Sequence, residues 1–288
     1  MEYFKNIDSD FKGYSFLIDF YNKHKDKLKG DIKISFKNVN WISGNMCSIM
    51  GAIFQKLENS LNTIKLYDLN PKVKEILTRN AFLSFWGLKK VPDFHESTIQ
   101  YLKLAPKDSR YFGIYIESEL LSKEAMPDMN DILKKKISEG IYEIFENAKM
   151  HSETREGIFT CGQYFLKKNK IEFMITDLGI GMREKINKEK NYAFNAIEAI
   201  NWAMQANNTT KTSGPGGLGL KILKEFIYMN KGQLQVVSNN GYWGISDKGV
   251  EQHPFNKEFP GTAINISINT NDKCYYYLSH KINDDELF

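Results

Sequence analysis

Glu143 and Asn147 stand four residues apart in Glu143-Ile-Phe-Glu-Asn147-Ala-Lys-Met-His151, so on a helix they stack on one face. A carboxylate and an amide at the edge of an apolar stripe line a half-buried pocket. Asn147 offers a carbonyl oxygen, a hard ligand that suits magnesium alongside phosphates and waters. Glu143 is of the right type to orient or deprotonate a nucleophile, either water or a protein hydroxyl. A second segment, Asp177-Leu-Gly179-Ile-Gly181-Met182, places a carboxylate at the end of the alternating run Ile171, Phe173, Ile175. Such a carboxylate accepts a hydrogen bond from the exocyclic amine of adenine, a donor that guanine lacks at that position. The two glycines let the backbone pass close to a flat ring. The third segment, Gly214-Pro-Gly216-Gly217-Leu-Gly219-Leu220, opens straight into a helix with Leu220, Ile222, Leu223, Phe226 and Ile227 on its apolar side. Glycines before a helix start expose backbone N–H groups where the helix dipole favours an anion, and a triphosphate is the natural occupant. No Gly-Lys-Ser or Gly-Lys-Thr follows, which excludes a Walker loop.

Each segment alone has a plainer reading: an exposed Glu and Asn on a helix flank, a polar turn, a flexible loop. What they share is a need for particular elements. At about 100° per residue, Leu133, Ile137, Ile141, Ile144, Phe145 and Ala148 form one stripe of a helix running from Pro127-Asp128 to about Met150. Gly140, Glu143, Asn147 and His151 border that stripe, and Glu146 points further toward solvent. Strands are expected near 157–166 and 170–177, then a lid-like region over 182–213 with a helix around 193–206. A helix over 218–230 ends at Lys231-Gly232. Strands around 233–238, 241–246 and 261–268 finish the fold, separated by turn-like Asn239-Asn-Gly241 and Asp247-Lys-Gly249. The apolar lid residues Ile197, Ile200 and Trp202 are expected against the core or a second subunit.

In the first half, 31–37 alternates as a strand. From Asn45, the residues Cys47, Met50, Ile53, Phe54 and Leu57 recur at helical spacing, giving an amphipathic helix. Residues 63–69 read as a second strand, and Asn70-Pro71 starts a second helix. Strand–helix–strand–helix implies parallel pairing with crossovers. Residues 88–126 carry a weaker pattern, in which 111–117 reads as a strand or the start of an interdomain connection.

Taken together and in this order, the three segments resemble the GHKL ATPase superfamily, which includes gyrase B, heat-shock chaperones, histidine and serine kinases, and MutL. Pro260-Gly261-Thr262 resembles that family's Gly-Thr element near the base. The resemblance implies an α/β (α+β) chain whose residues 127–272 form a Bergerat fold, a two-layer α/β sandwich with helices on one side of a mixed sheet. It implies ATP and magnesium as ligands. Asn147 would bind the metal; Asp177 would bind adenine beside Gly179, Gly181, Met182 and Thr262. Gly214, Gly216, Gly217, Leu218, Gly219 and Leu220 would close over phosphates, with Thr210 and Lys211 of the lid as further nucleotide contacts. The string from Asn147 to Ser152 is closer to anti-sigma-type serine kinases than to sensor histidine kinases, so His151 is expected beside the nucleotide and not as a phosphoacceptor. No dimerising phosphoacceptor helix precedes the site, and no transducer domain of the gyrase B or MutL kind is expected after it. Residues 1–100 more loosely resemble a STAS domain (sulfate-transporter and anti-sigma-antagonist). There a phosphorylatable serine opens the first helix after an aspartate; here Ile42-Ser43-Gly44-Asn45 lacks the aspartate, and the plainer reading is that Ser43 caps or merely precedes the helix. Residues 101–126 are expected as a connector and 273–288 as a C-terminal tail.

Composition narrows the class. The chain has 288 residues, 42% hydrophobic and 26% charged, with a formal charge of +4. That charge, with no basic run beyond Lys134-Lys-Lys136, argues against nucleic acid. Three scattered cysteines fit neither a zinc pattern nor a disulfide framework, and neither a signal peptide nor a membrane span is apparent, so a cytoplasmic protein is expected. The expectation is a regulator that hydrolyses ATP slowly or phosphorylates a protein partner, more readily on serine than on histidine, with a homodimer possible. The alternative is a nucleotide-gated binding module with no useful catalysis.

Overall fold

The computed structural model describes residues 1–151, 156–205, 208 and 218–279. In its first part β1 (Glu2–Tyr3), β2 (Asp31–Ser35) and β3 (Thr63–Tyr67) pair in parallel, in that order. The connections run through α1 (Phe11–His24) and α2 (Cys47–Glu58), as parallel neighbours require. α3 (Pro71–Arg79) follows, capped by Asn70, whose side chain accepts the Val73 N–H at 3.0 Å. α1, which the sequence pattern did not reveal, is capped in the same way by Asp10.

The second part is built on a five-stranded sheet of β4 (Thr98–Leu104), β5 (Ile158–Phe165), β6 (Lys170–Asp177), β7 (Gln233–Ser246) and β8 (Gly249–Asn269). The order is β4-β5-β6-β8-β7 and every neighbouring pair is antiparallel, so the expected mixed sheet is corrected. The chain does cross from β6 to β7 through helices and the two strands run the same way. β8 returns from β7 in a hairpin and fills the place between them, so no parallel pair forms.

α4 (Ser109–Ile116), α5 (Asp131–His151) and α8 (Leu218–Met229) cover one face of this sheet. The predicted α5 stripe, Leu133 to Ala148, is buried against Phe173, Ile175, Phe226 and Ile264. Between β6 and α8 come α6 (Gly181–Lys190) and α7 (Ala196–Met204). Ile200 of α7 is buried in the same core, whereas Ile197 and Trp202 stay partly exposed.

The other face is covered too, by the first part of the chain, so a third layer from outside residues 127–272 joins the two expected there. Ser48 on α2 donates to the Phe159 carbonyl (2.9 Å) and pairs with the Thr176 hydroxyl (2.8 Å). Asn45 donates to Asn265 (2.9 Å), and Tyr14 of α1 to Gln235 (3.0 Å). α2 is therefore buried on all sides from Cys47 to Phe54 and not along one stripe. Its second face consists of small residues, Ser48, Gly51 and Ala52, which admit the sheet; a Cβ on Gly51 would stand 2.1 Å from the Tyr101 hydroxyl. Replacing Gly51 with Leu should destabilise the protein by about 1–3 kcal/mol through overpacking at this seam. Urea denaturation checks it; an unchanged midpoint would mean that α2 does not seat there.

Residues 101–126 are not a connector. The expected boundary at 100/101 falls inside β4, and 111–117 is helical, not a strand. Phe112, Tyr115 and Ile116 are buried at spacings of three and four, while Tyr111 and Ile114 face outward. Nor does Asn239-Asn-Gly241 turn the chain: β7 continues through it as a bulge with two register shifts. Ser43 is buried, and its hydroxyl lies 3.2 Å from Asp8 Oδ1 instead of capping the following turn. The next amide, Gly44 N–H, donates to Gln163 of β5 at 2.6 Å, so a kinase has no access to Ser43 in this conformation. Cys47, Cys161 and Cys274 are free thiols. After β8, part of the expected tail returns to the start of α5, where Tyr276 pairs with Met129 and packs edge-on to Phe226. Among the described residues, no helix is long and apolar enough to cross a membrane.

Candidate functional site

Because α5 turns its apolar stripe to the sheet, the residues bordering that stripe lie at the margin of the core. Glu143 and Asn147 are both half-buried there. α8 packs alongside, and its Leu220 N–H donates to Glu143 Oε2 at 3.3 Å. The first and third sequence segments thus meet. In an α-helix the first N–H groups lack intrahelical partners, so a carboxylate from α5 here satisfies one near the start of α8.

The second segment sits where β6 ends. Asp177 pairs in register with Ile158 on one side and Thr262 on the other. It is only 5% exposed, and its Oδ1 accepts the Gly179 N–H at 2.8 Å. Burial pushes its pKa up to about 7; backbone N–H groups of Gly179 and Thr262 pull it down less strongly. A carboxylate in this state can either give up its proton to a polar ligand or keep it, at near-neutral pH. Gly261 has φ 150°, and a Cβ there would lie 2.0 Å from the Asp177 carbonyl oxygen, so only glycine allows β8 to approach this closely.

Two residues at this end of the sheet escaped the sequence reading. Ser238 accepts the Met182 N–H at 2.9 Å and shares a 2.9 Å hydrogen bond with the Thr262 hydroxyl. Asn239 accepts the Arg183 N–H at 3.2 Å. The only signal was a polar Ser-Asn-Asn-Gly run, which reads as a turn unless the partner strand is known. Lys224 of α8 was also missed. It donates to the Met204 carbonyl at the end of α7, and burial lowers its pKa.

Met182 and Leu220 pack on one apolar cluster that contains Ile144, Ala148 and Ile175, so the described parts of all three segments border the same core. Thr210, Lys211, Gly214, Gly216 and Gly217 lie outside the described residues. Leu218 and Gly219 open α8 and His151 closes α5, but their side chains are likewise outside the description. Among the described residues, no group of three His, Cys, Asp or Glu side chains could hold a metal ion. Comparison with models of known protein families and with curated proteins finds no match to this chain.

Proposed function

We propose that this chain binds magnesium–ATP in a GHKL-type site and hydrolyses it slowly or passes its phosphoryl group to a protein partner in the cytoplasm. In this reading β5 to β8 with α5 and α8 form a Bergerat-like domain, antiparallel throughout and extended by β4 and α4, and the N-terminal part is STAS-like, docked on the back of its sheet. The observation that carries the reading is Asp177. A buried carboxylate ends a strand, flanked by Gly179 and Gly181 and in register with Gly261-Thr262. Burying a carboxylate with so few donors is costly, and a ligand amine that donates to it repays that cost. Adenine has such a donor.

The residues would divide the work by chemistry. Asp177 and the glycines beside it would hold the base. Asn147 would supply a carbonyl oxygen to magnesium, which neutralises phosphate charge when bound. Glu143, half-buried on the same helix face, would take or orient the proton of the nucleophile. Equilibrium binding of ATP and GTP, each with and without magnesium, tests the whole reading: ATP should bind at least tenfold tighter than GTP, and more tightly with the metal. In an Asn147→Ala protein the metal-dependent part of ATP affinity should vanish while weak metal-free binding of ADP persists. Equal magnesium dependence in mutant and parent would place the metal elsewhere.

One observation favours a second reading, the nucleotide-gated module. Glu143 already accepts the Leu220 N–H, which makes it a latch between α5 and the start of α8. A ligand arriving at α8 would then shift a helix and a lid, exposing or hiding a partner surface.

A further inference from the structure

β7 bulges between Ser238 and Gly241, where its register against β8 shifts twice. Asn239 occupies the left-handed region there, with φ 53°. Both Ser238 and Asn239 are buried, at 0% and 4% exposure, so their polar side chains must be satisfied within the protein. They are satisfied by the loop that follows Asp177. Ser238 Oγ accepts the Met182 N–H at 2.9 Å, Asn239 Oδ1 accepts the Arg183 N–H at 3.2 Å, and Asn239 Nδ2 donates to the Ile180 carbonyl at 3.3 Å and to Glu184.

These amides belong to the first turn of α6, whose own N-cap, Ile180, offers no side-chain cap. The first N–H groups of a helix need partners from elsewhere, and here another strand supplies them. The fit is close: Gly181 has φ 80°, and a Cβ on it would lie 2.4 Å from Asn239 Oδ1. Ser238 also bonds Thr262, the register partner of Asp177. The bulge therefore bonds both the strand partner of Asp177 and the loop that follows it. Its far end seats the second lid helix, since a Cβ on Gly241 would meet Ile200 at 2.9 Å and Ala196 at 3.1 Å.

We propose that Asn239, together with Ser238, is a positioning residue that holds the 179–183 loop in place beside Asp177 and thereby sets the preference for adenine over guanine. The proposal rests on the nucleotide reading of Asp177. A recognition group discriminates only when the residues around it are locked by their own hydrogen bonds. A loop held by β7 at three backbone groups meets that requirement; without Asn239, β7 would hold it through the Ser238 bond alone.

The test uses the full chain with Asn239→Gly and Asn239→Asp. Glycine keeps the positive φ without strain and removes only the side chain. Aspartate retains the acceptor for Arg183 N–H but loses the donor to Ile180 and sets a like charge against Glu184. In the ligand-free Asn239→Gly protein, amide exchange at Met182 and Arg183 should speed up about tenfold while β5 and β6 stay protected, the loss expected for a hydrogen bond of ordinary net strength. ATP affinity should fall about tenfold with GTP affinity unchanged, so the ATP-to-GTP ratio falls by the same factor, and Asn239→Asp should lower the ratio at least as far. A ratio equal to the parent's overturns the proposal. So does an equal loss for both nucleotides with exchange faster throughout the sheet, which would make Asn239 merely structural. A parent protein that does not distinguish ATP from GTP removes the reading of Asp177 itself, and the base role of Asn239 with it.

Discussion

Replacing Asp177 with asparagine should weaken ATP binding ten- to a hundredfold and at the same time make the ligand-free protein more stable. The loss of affinity follows from charge: a carboxylate acceptor contributes roughly 1.5–3 kcal/mol to a hydrogen bond that an amide matches poorly. The asparagine oxygen can still accept the Gly179 N–H, but its amino group then faces the place where adenine would donate. The gain in stability follows from burial, which raises the Asp177 pKa from 3.8 to about 7. Between those values the folded protein binds a proton that the unfolded chain does not, so this group makes stability fall as pH rises through that window. Above about pH 7 its full penalty is present, and below pH 3.8 both states are protonated and it vanishes. Each tenfold difference in proton affinity between the folded and unfolded chain is worth about 1.4 kcal/mol, so the asparagine protein should gain up to about 4 kcal/mol at pH 8 and nothing near pH 4.

The same carboxylate should give ATP binding a pH dependence of definite sign. The ionised form accepts from the adenine amine more strongly than the neutral acid does. With the pKa at about 7, affinity should drop by up to about thirtyfold between pH 8 and pH 5.5 in the parent. The drop should be absent from the Asp177→Asn protein. Calorimetry across that range, paired with thermal melts of the ligand-free proteins, checks both halves. A parent profile that stays flat would disconnect Asp177 from the ligand, and a melt unchanged by the substitution at pH 8 would mean that its carboxylate carries no burial penalty.

The second large effect is expected at Glu143. Substituting glutamine preserves the shape and still offers an oxygen to the Leu220 N–H, so the tie between α5 and α8 survives. What is lost is the proton acceptor. General-base catalysis typically contributes about 10²–10⁴-fold, so turnover should fall by that order while ATP affinity and thermal stability barely move. The variant should accumulate with ATP bound. Glu143→Ala separates the two readings of this residue, because it removes the tie as well. If glutamine leaves turnover intact and only alanine reduces binding, Glu143 is a latch and the nucleotide-gated module becomes the better account. A parent protein that neither hydrolyses ATP nor transfers its phosphoryl group to any partner leads to the same conclusion.

By itself the sequence determined the elements whose pattern is local. The α5 stripe from Leu133 to Ala148, the strand ending at Asp177, the helix opening at Leu218 and the Asn70-Pro71 helix start all follow from periodicity and capping, which act within a few residues. It also carried the pairing of Glu143 with Asn147 on one helix face. Only the tertiary structure decided what depends on partners distant in the chain. α2 reads as amphipathic because its second face is made of Ser48, Gly51 and Ala52, residues too small to register as apolar, yet that face seats the five-stranded sheet. Residues 111–117 read as a strand because aromatic and branched side chains crowd both registers; burial of Phe112, Tyr115 and Ile116 against α5 selects the helix. The sheet is antiparallel throughout because β8 returns between β6 and β7, a matter of topology that no local pattern encodes. Ser238 and Asn239 looked like the edge of a turn. Their partners, the amides of Met182 and Arg183, are 56 residues away, and only a folded chain brings a bulge on one strand to the first turn of a helix that begins after another.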